Sequence, residues 1–364
     1  MLSDLADLLP GMAAREAANP EDYPAESVAA LYAAGIPQSP FAAEMGGEGA
    51  TCRRATEAIE AIATASPSLA LLAAMPMGLA GVLSARTAAP DETWQRRHDD
   101  HVAAIAGDYG AGRIYAACNS ERGAGGSLAA TKTVAVRDGS GEFRLTGEKI
   151  LASSGTHASV FFSTAKVDPA DLPGAGIVEM FFVDAHAPEV EILTDWNGFG
   201  MRSSESHSVR YDGVKSASIL GFPNYLDLMQ PTSYWAHQFA AIPLGCAKTI
   251  LDALGKPTPQ APSLRLRLAE AQMRYEAMRA YLLETADGFR LAAGPAYAAR
   301  VLRTKTYVTQ EATKLCAEMF ALSGGRHYSR SSPVARTFAD AFAGTALRPP
   351  LALGLETLAG QFEL

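Results

Sequence analysis

The strongest constraint on this chain is a change of hydrophobic periodicity that happens twice. Up to about residue 113, apolar residues recur every three to four positions. "PAESVAALYAAGI" places Val28, Leu31 and Tyr32 on one helical face, with a stop near Gly35. "ATEAIEAIATAS" and "DETWQRRHDDHVAAIAG" read as helices too, while "SPFAAEMGGEGA", broken by Gly46, Gly47 and Gly49, reads as a loop. From about Ile114 the pattern shortens. "TKTVAVRD", "EFRLTGEKI", "SVFFSTAKVD", "VEMFFVDA", "VEILTDW" and "HSVRYDGV" are β-branched or aromatic runs divided by Gly, Asp, Asn and Pro, as in a compact antiparallel β domain. Near Leu220 long amphipathic helical patterns return, with the Pro-rich "GKPTPQAP" (255–262) connecting two of them. The expected units are an N-terminal helical domain (1–112), a middle β domain (113–218) and a C-terminal helical bundle (219–364). No internal repeat is visible.

Composition narrows the function classes. The chain has 364 residues, a net charge of -8, 48% hydrophobic and 19% charged residues, which describes a folded protein with a substantial core. With no basic stripe to neutralise phosphates, nucleic acid is not an expected partner. The longest apolar run, "SLALLAAMPMGLAGVL" (68–83), is short for a membrane span and contains proline, so it is expected to be a buried helix, with no membrane association. No signal-peptide pattern opens the sequence, and a cytoplasmic location is expected. Cys52, Cys118, Cys246 and Cys316 are widely spaced with no CxxC pair, pointing to reduced core residues and no metal site.

The glycine-rich stretch in "CNSERGAGGSLAATKTVAV" raises the possibility of a nucleotide site. A Rossmann fingerprint or a P-loop needs a strand before the glycines and a helix after them, so that free N–H groups meet the phosphates. Here the glycines lead into an alternating, strand-like run, and no GK[ST] lysine follows. Both motifs fail on context. Two readings stay open: a solvent loop between strands, or a loop whose backbone N–H groups and short hydroxyls face a planar ligand or an anion.

Four segments in order, "SERGAGGS", "LTGEKILASSG", "WNGFGMRSSESHSVRYDGVK" and "LSGGRHYSRSSPVARTFADA", together with "AAGIPQSPFAAEMGGEGA", resemble the acyl-CoA dehydrogenase superfamily of FAD enzymes. The resemblance implies an α+β architecture: an N-terminal all-α domain, a middle antiparallel β domain and a C-terminal four-helix bundle. It also implies FAD as cofactor, a small-molecule substrate such as an acyl-CoA, α,β-dehydrogenation as in fatty acid metabolism, and a homodimer or homotetramer. Ser120 then takes the place of the threonine on the flavin ring, and Asn119, Ser120, Leu151 and Ser153 form the expected flavin-contact set. A hydroxyl near the ring edge can stabilise charge that builds there. Leu151 reads equally as a core residue of its strand. Gly324 and Gly325 match a glycine pair that approaches the flavin of a neighbouring subunit. Gly126, Ser127 and Arg202 are expected on the substrate side.

The resemblance also implies a glutamate that removes an α-proton, at one of two places, and neither holds an acid. The C-terminal place carries Arg348, or Ala343 if a gap is allowed. The earlier place, on the helix before "IPLG", carries Trp235 and Ala236. Glu356 and His237 are the nearest weak candidates, while Glu121 is expected to orient the loop. Three functions compete: a dehydrogenase with a relocated or lost base, a flavin-dependent monooxygenase of the same superfamily, or a non-catalytic relative.

Overall fold

The structure, a computed structural model, describes residues 2–85, 87–229, 234–256 and 261–361. Five helices come first: α1 (Leu5–Ala18), α2 (Ala25–Ala33), α3 (Cys52–Ala65), α4 (Pro67–Leu83) and α5 (Glu92–Gly110). Their starts follow local chemistry. The Thr51, Ser66 and Asp91 side chains accept hydrogen bonds from the backbone N–H groups of Arg54, Leu69 and Trp94, using amides that have no partner within the helix. Pro67 at the first helical position fits because its missing N–H is not needed there. Every residue of α4 is buried, so the apolar run 68–83 is a core helix. No described helix is long and apolar enough to cross a membrane.

Seven strands follow: β1 (Tyr115–Ala117), β2 (Val134–Arg137), β3 (Phe143–Ala152), β4 (Val160–Val167), β5 (Val178–Asp184), β6 (Val190–Ile192) and β7 (His207–Ile219). The order β4-β2-β3-β7-β5 closes through a β4–β5 pairing, with β1 added beside β4 and β6 beside β7. The expected all-antiparallel sheet needs correction, since β4 pairs in parallel with both β1 and β2. The reason is directional. β2 and β4 each run opposite to β3 or β5, so they run the same way as each other where they meet. Inside the ring, Leu145, Phe161, Phe181, Val183, Val209 and Tyr211 form a small core of their own. Outside it, Val160, Phe162, Val178, Met180 and Phe182 join the helical core. β4 and β5 are thus covered on both faces and are buried along nearly their whole length. β2, solvated on one face, alternates between exposed Val134, buried Ala135 and exposed Val136.

The chain then forms α6 (Tyr225–Met229), α7 (Tyr234–Gly255), α8 (Pro262–Asp287), α9 (Pro295–Leu322), α10 (Pro333–Ala341), α11 (Ala343–Ala346) and α12 (Leu351–Ala359). The expected connector 255–262 lies partly outside the described residues. α7 packs against α8, α9 and α10 and also against α3 and α4, so both helical regions share one hydrophobic core. All four cysteines are buried and free.

Candidate functional site

A cavity of about 1330 Å³ opens where the strand loops meet both helical regions. One wall comes from residues 117–129, the end of β3 and β4. The opposite wall comes from α4, α7 and the first turns of α9, and a third from residues 339–349 and α12.

On the strand side, the loop after β1 is held from below. Asn119 Oδ1 accepts from Thr164 N–H at 2.9 Å, and Ser120 O accepts from Ile150 N–H at 2.8 Å. The neighbouring Glu121 is buried, and its carboxylate accepts from the N–H of Lys132 (2.6 Å), the N–H of Thr133 (3.1 Å), the Thr133 hydroxyl (2.8 Å) and the Lys149 ammonium (2.6 Å). Burial alone would raise this carboxyl, but the Lys149 ammonium and the other donors hold it below its usual range and keep it ionised. Glu121 therefore anchors the loop and is fully engaged. Gly126 meets Pro350 so closely that a Cβ would stand 2.5 Å from the proline ring, at a φ of +85°. Only glycine suits that contact, which seats the glycine-rich loop on the segment carrying Arg348.

The end of β3 is irregular, with a register shift between Lys149 and Ala152. Leu151 there has φ +60°, is 47% exposed and lines the cavity. The reading of Leu151 as a strand core residue is therefore corrected: the bulge turns it outward. Ser153 lines the cavity too, and its hydroxyl pairs with Ser206 at 2.9 Å, which pairs with Ser204 at 2.7 Å.

Of the expected residues, Asn119, Ser120, Gly126, Ser127, Leu151 and Ser153 line this one cavity. So do Trp235, Ala236, Ala343 and Arg348, so both places where a base was sought converge on it. The rest lie elsewhere. Arg202 donates to Glu21 at 2.8 Å and is absent from the cavity wall, because its short helical turn faces the N-terminal helices. Gly324 and Gly325 are exposed at the far end of α9. His237 is buried beside Phe289 and Tyr297, off the wall. Glu356 is exposed on α12, whose cavity face is Leu353 and Thr357 at four-residue spacing, with Gln361 just beyond the helix end.

Sequence reasoning missed three groups. Lys149 is fully buried; the period of two from buried Leu145 on the same strand would have signalled it. Ser206 completes the hydroxyl pair, and no local pattern marks it. Asp227, on α6, is the cavity's one carboxylate among the described residues.

The loop of residues 196–201 also lines the cavity and is fixed by Trp196, whose indole N–H donates to Met201 O at 3.0 Å, and by Asp340, whose carboxylate accepts from Met201 N–H at 2.6 Å. Burial pushes the Asp340 carboxyl up to about 7, against the opposing pull of that N–H. Between about pH 4 and about pH 7 the folded chain then holds a proton that the unfolded chain releases, so this group's contribution to stability falls as pH rises through that window. Asp340→Asn, which keeps an acceptor for Met201, is expected to gain on the order of 1–4 kcal/mol relative to the parent between pH 5 and pH 8. Urea unfolding at both pH values measures this, and parallel pH dependences for the two proteins would refute it.

Comparison with known proteins agrees with this architecture. Residues 116–214 match the acyl-CoA dehydrogenase middle domain and residues 238–347 the acyl-CoA dehydrogenase C-terminal domain. A probable acyl-CoA dehydrogenase of Bacillus subtilis, YngJ, is 23% identical over 339 residues, covering 88% of this chain and 85% of that protein. The amino sugar nitrososynthase DnmZ of Streptomyces peucetius is 28% identical over 237 residues, covering 60% of this chain and 58% of that protein. Among solved structures, butyryl-CoA dehydrogenase from Megasphaera elsdenii superposes with a TM-score of 0.83 at 19% identity, covering 99% of this chain and 97% of that one. KijD3 in complex with FMN and a dTDP-amino sugar gives 0.83 at 21% identity, covering 99% and 92%.

Proposed function

The chain belongs to the acyl-CoA dehydrogenase superfamily, and from that premise we propose that it is a flavin-dependent monooxygenase of that superfamily. The observation that carries the reading is the absence of a usable base. Among the described residues of the cavity the one carboxylate is Asp227, whose side chain is exposed, and the two places where a base was sought hold Trp235 and Arg348. Removal of an α-proton needs an acceptor within hydrogen-bond reach of the substrate carbon; oxygen insertion does not.

The cavity fits a flavin in kind. Leu151 offers an exposed apolar face, while Asn119, Ser120 and Ser153 offer amide and hydroxyl groups at one edge. Bound there, a flavin supplies two-electron chemistry and the activation of dioxygen. Ser120 and Ser153 would hold its polar edge, the latter oriented by Ser206. Leu71, Met75, Trp235 and Phe239 would exclude water from the reacting centre. Gly324 and Gly325, open to solvent, stay available to a second copy in the expected homodimer or homotetramer.

A second reading, acyl-CoA dehydrogenation with Asp227 as relocated base, is favoured by that residue's place on the cavity wall. Anaerobic titration of the flavin-loaded protein with saturated acyl-CoAs of several chain lengths separates the two. The visible flavin absorbance is expected to persist. With NADH, a flavin reductase and isotopically labelled dioxygen, a substrate panel is expected to yield a product carrying one labelled oxygen. Bleaching by an acyl-CoA, abolished in Asp227→Asn, would replace the monooxygenase reading with the second.

A further inference from the structure

We infer that Arg348 is a docking residue for an ionised carboxylate on the substrate, in a largely apolar chamber. Arg348 lines the cavity and makes one hydrogen bond, from Nη2 to Asn119 O at 2.9 Å. Its Nε and Nη1 are buried with no partner among the described residues. A desolvated guanidinium with empty donors is costly unless an anion meets it.

Among the described residues no protein group fills that role. Glu121 attracts Arg348 electrostatically, but its two oxygens are occupied by Lys132, Thr133 and Lys149. Glu121 and Lys149 offset each other, so among the described residues no carboxylate pairs with Arg348.

The fold nevertheless holds this cation in place. Buried Lys305 donates to the backbone oxygens of Gly344 (3.1 Å), Leu347 (2.7 Å) and Pro349 (2.6 Å), bracketing Arg348 on both sides. Gly126 presses on Pro350 just beyond. A buried lysine, its amine pushed down to about 7 by burial, is thus committed to fixing the backbone that presents the guanidinium. The side chain borders the cavity, and rotation about its Cγ–Cδ and Cδ–Nε bonds, exchanging the bond to Asn119 O for a ligand, would present its unpartnered edge while this strap stays in place.

The chemistry of the ligand follows from charge and shape. A planar guanidinium fork matches a carboxylate through two parallel hydrogen bonds. One guanidinium fork, with two donors free, suits a mono-anionic carboxylate rather than a diphosphate. Met75, Phe162, Trp235, Phe239 and Leu302 offer a path for a hydrocarbon chain. The inference rests on the proposed placement of the flavin ring beside Asn119 and Ser120, since otherwise the anion met by Arg348 is the flavin's own phosphate.

The test uses the whole chain, with binding read by thermal shift and, in flavin-loaded protein, by perturbation of the flavin spectrum. Octanoate is expected to bind at least about tenfold tighter than octanol. Arg348→Met is expected to remove that preference while leaving octanol affinity unchanged, which also reports an intact fold; Arg348→Lys should restore part of it. Equal affinity for octanoate and octanol, no octanoate binding, or octanoate binding unchanged in Arg348→Met would each overturn the assignment. A loss of FMN binding but not riboflavin binding in Arg348→Met would overturn it in favour of the flavin phosphate. Failure of the protein to take up any flavin leaves the thermal-shift comparison intact, so it counts against the monooxygenase reading separately.

Discussion

Replacing Lys149 with methionine is expected to lower stability by about 3–5 kcal/mol, because it strips the counterion from a buried carboxylate. The Lys149 side chain is 0% exposed and that of Glu121 is 3%. Besides Glu121, the ammonium also serves the Thr164 carbonyl at 2.5 Å, which would lose its donor in the variant. The remaining donors to Glu121 are backbone N–H groups and a hydroxyl, which cannot offset the lost positive charge. Glu121 sits beside Ser120, so the damage should extend to the cavity and weaken flavin uptake as well. The double variant Glu121→Gln, Lys149→Met is expected to lose less than the sum of its single changes, since each single change leaves an unpaired charge behind. Urea unfolding of the three variants decides this. A single-variant loss below about 1 kcal/mol would show the pair to be dispensable.

Trp235→Ala is expected to cost about 3–5 kcal/mol, the range for deleting a large buried aromatic. The ring is 8% exposed, stacks near Phe162 at 5.9 Å and donates from Nε1 to Met75 O at 3.2 Å. It lies flat over Gly78, where a Cβ would come within 2.1 Å of Nε1. One side chain therefore joins α4, α7 and β4, the elements that enclose the cavity. Its removal should open space lined by apolar groups, which added indole can refill. Partial recovery of thermal stability with indole, absent in the parent, is the expected signature. A variant of parental stability would remove Trp235 from the account of how the three regions are held together.

Much of the fold was legible because its signals are local. A helix that is apolar all round, such as 67–83, announces burial whatever its neighbours are. The strand runs were readable for the same reason, yet their directions were not. Whether β4 meets β2 in parallel depends on the order in which strands close the ring, and periodicity carries no such information. The site was legible in part. Asn119, Ser120 and Ser153 sit in short segments whose resemblance could be read residue by residue, and they line the cavity. Arg202 was equally recognisable as a motif, but the direction of its side chain was decided by Glu21, far away in the chain. Glu356 was sought as an acid near the right place. Its helix turns Leu353 and Thr357 to the cavity instead, a matter of one helical phase angle that no motif fixes.

By itself the sequence determined the kinds and order of the elements, the burial of the apolar helix, the reduced cysteines and the loss of an acid from both sought positions. Each of these depends on residue identity or on spacing within a few turns of chain. The tertiary structure alone decided that Trp235 and Arg348 border one cavity, that Lys149 neutralises Glu121 across a sheet, and that Lys305 braces the segment presenting the Arg348 guanidinium. These meetings join residues distant in sequence. They arise from how helices and a closed sheet pack to bury apolar surface, a global requirement that no local period encodes.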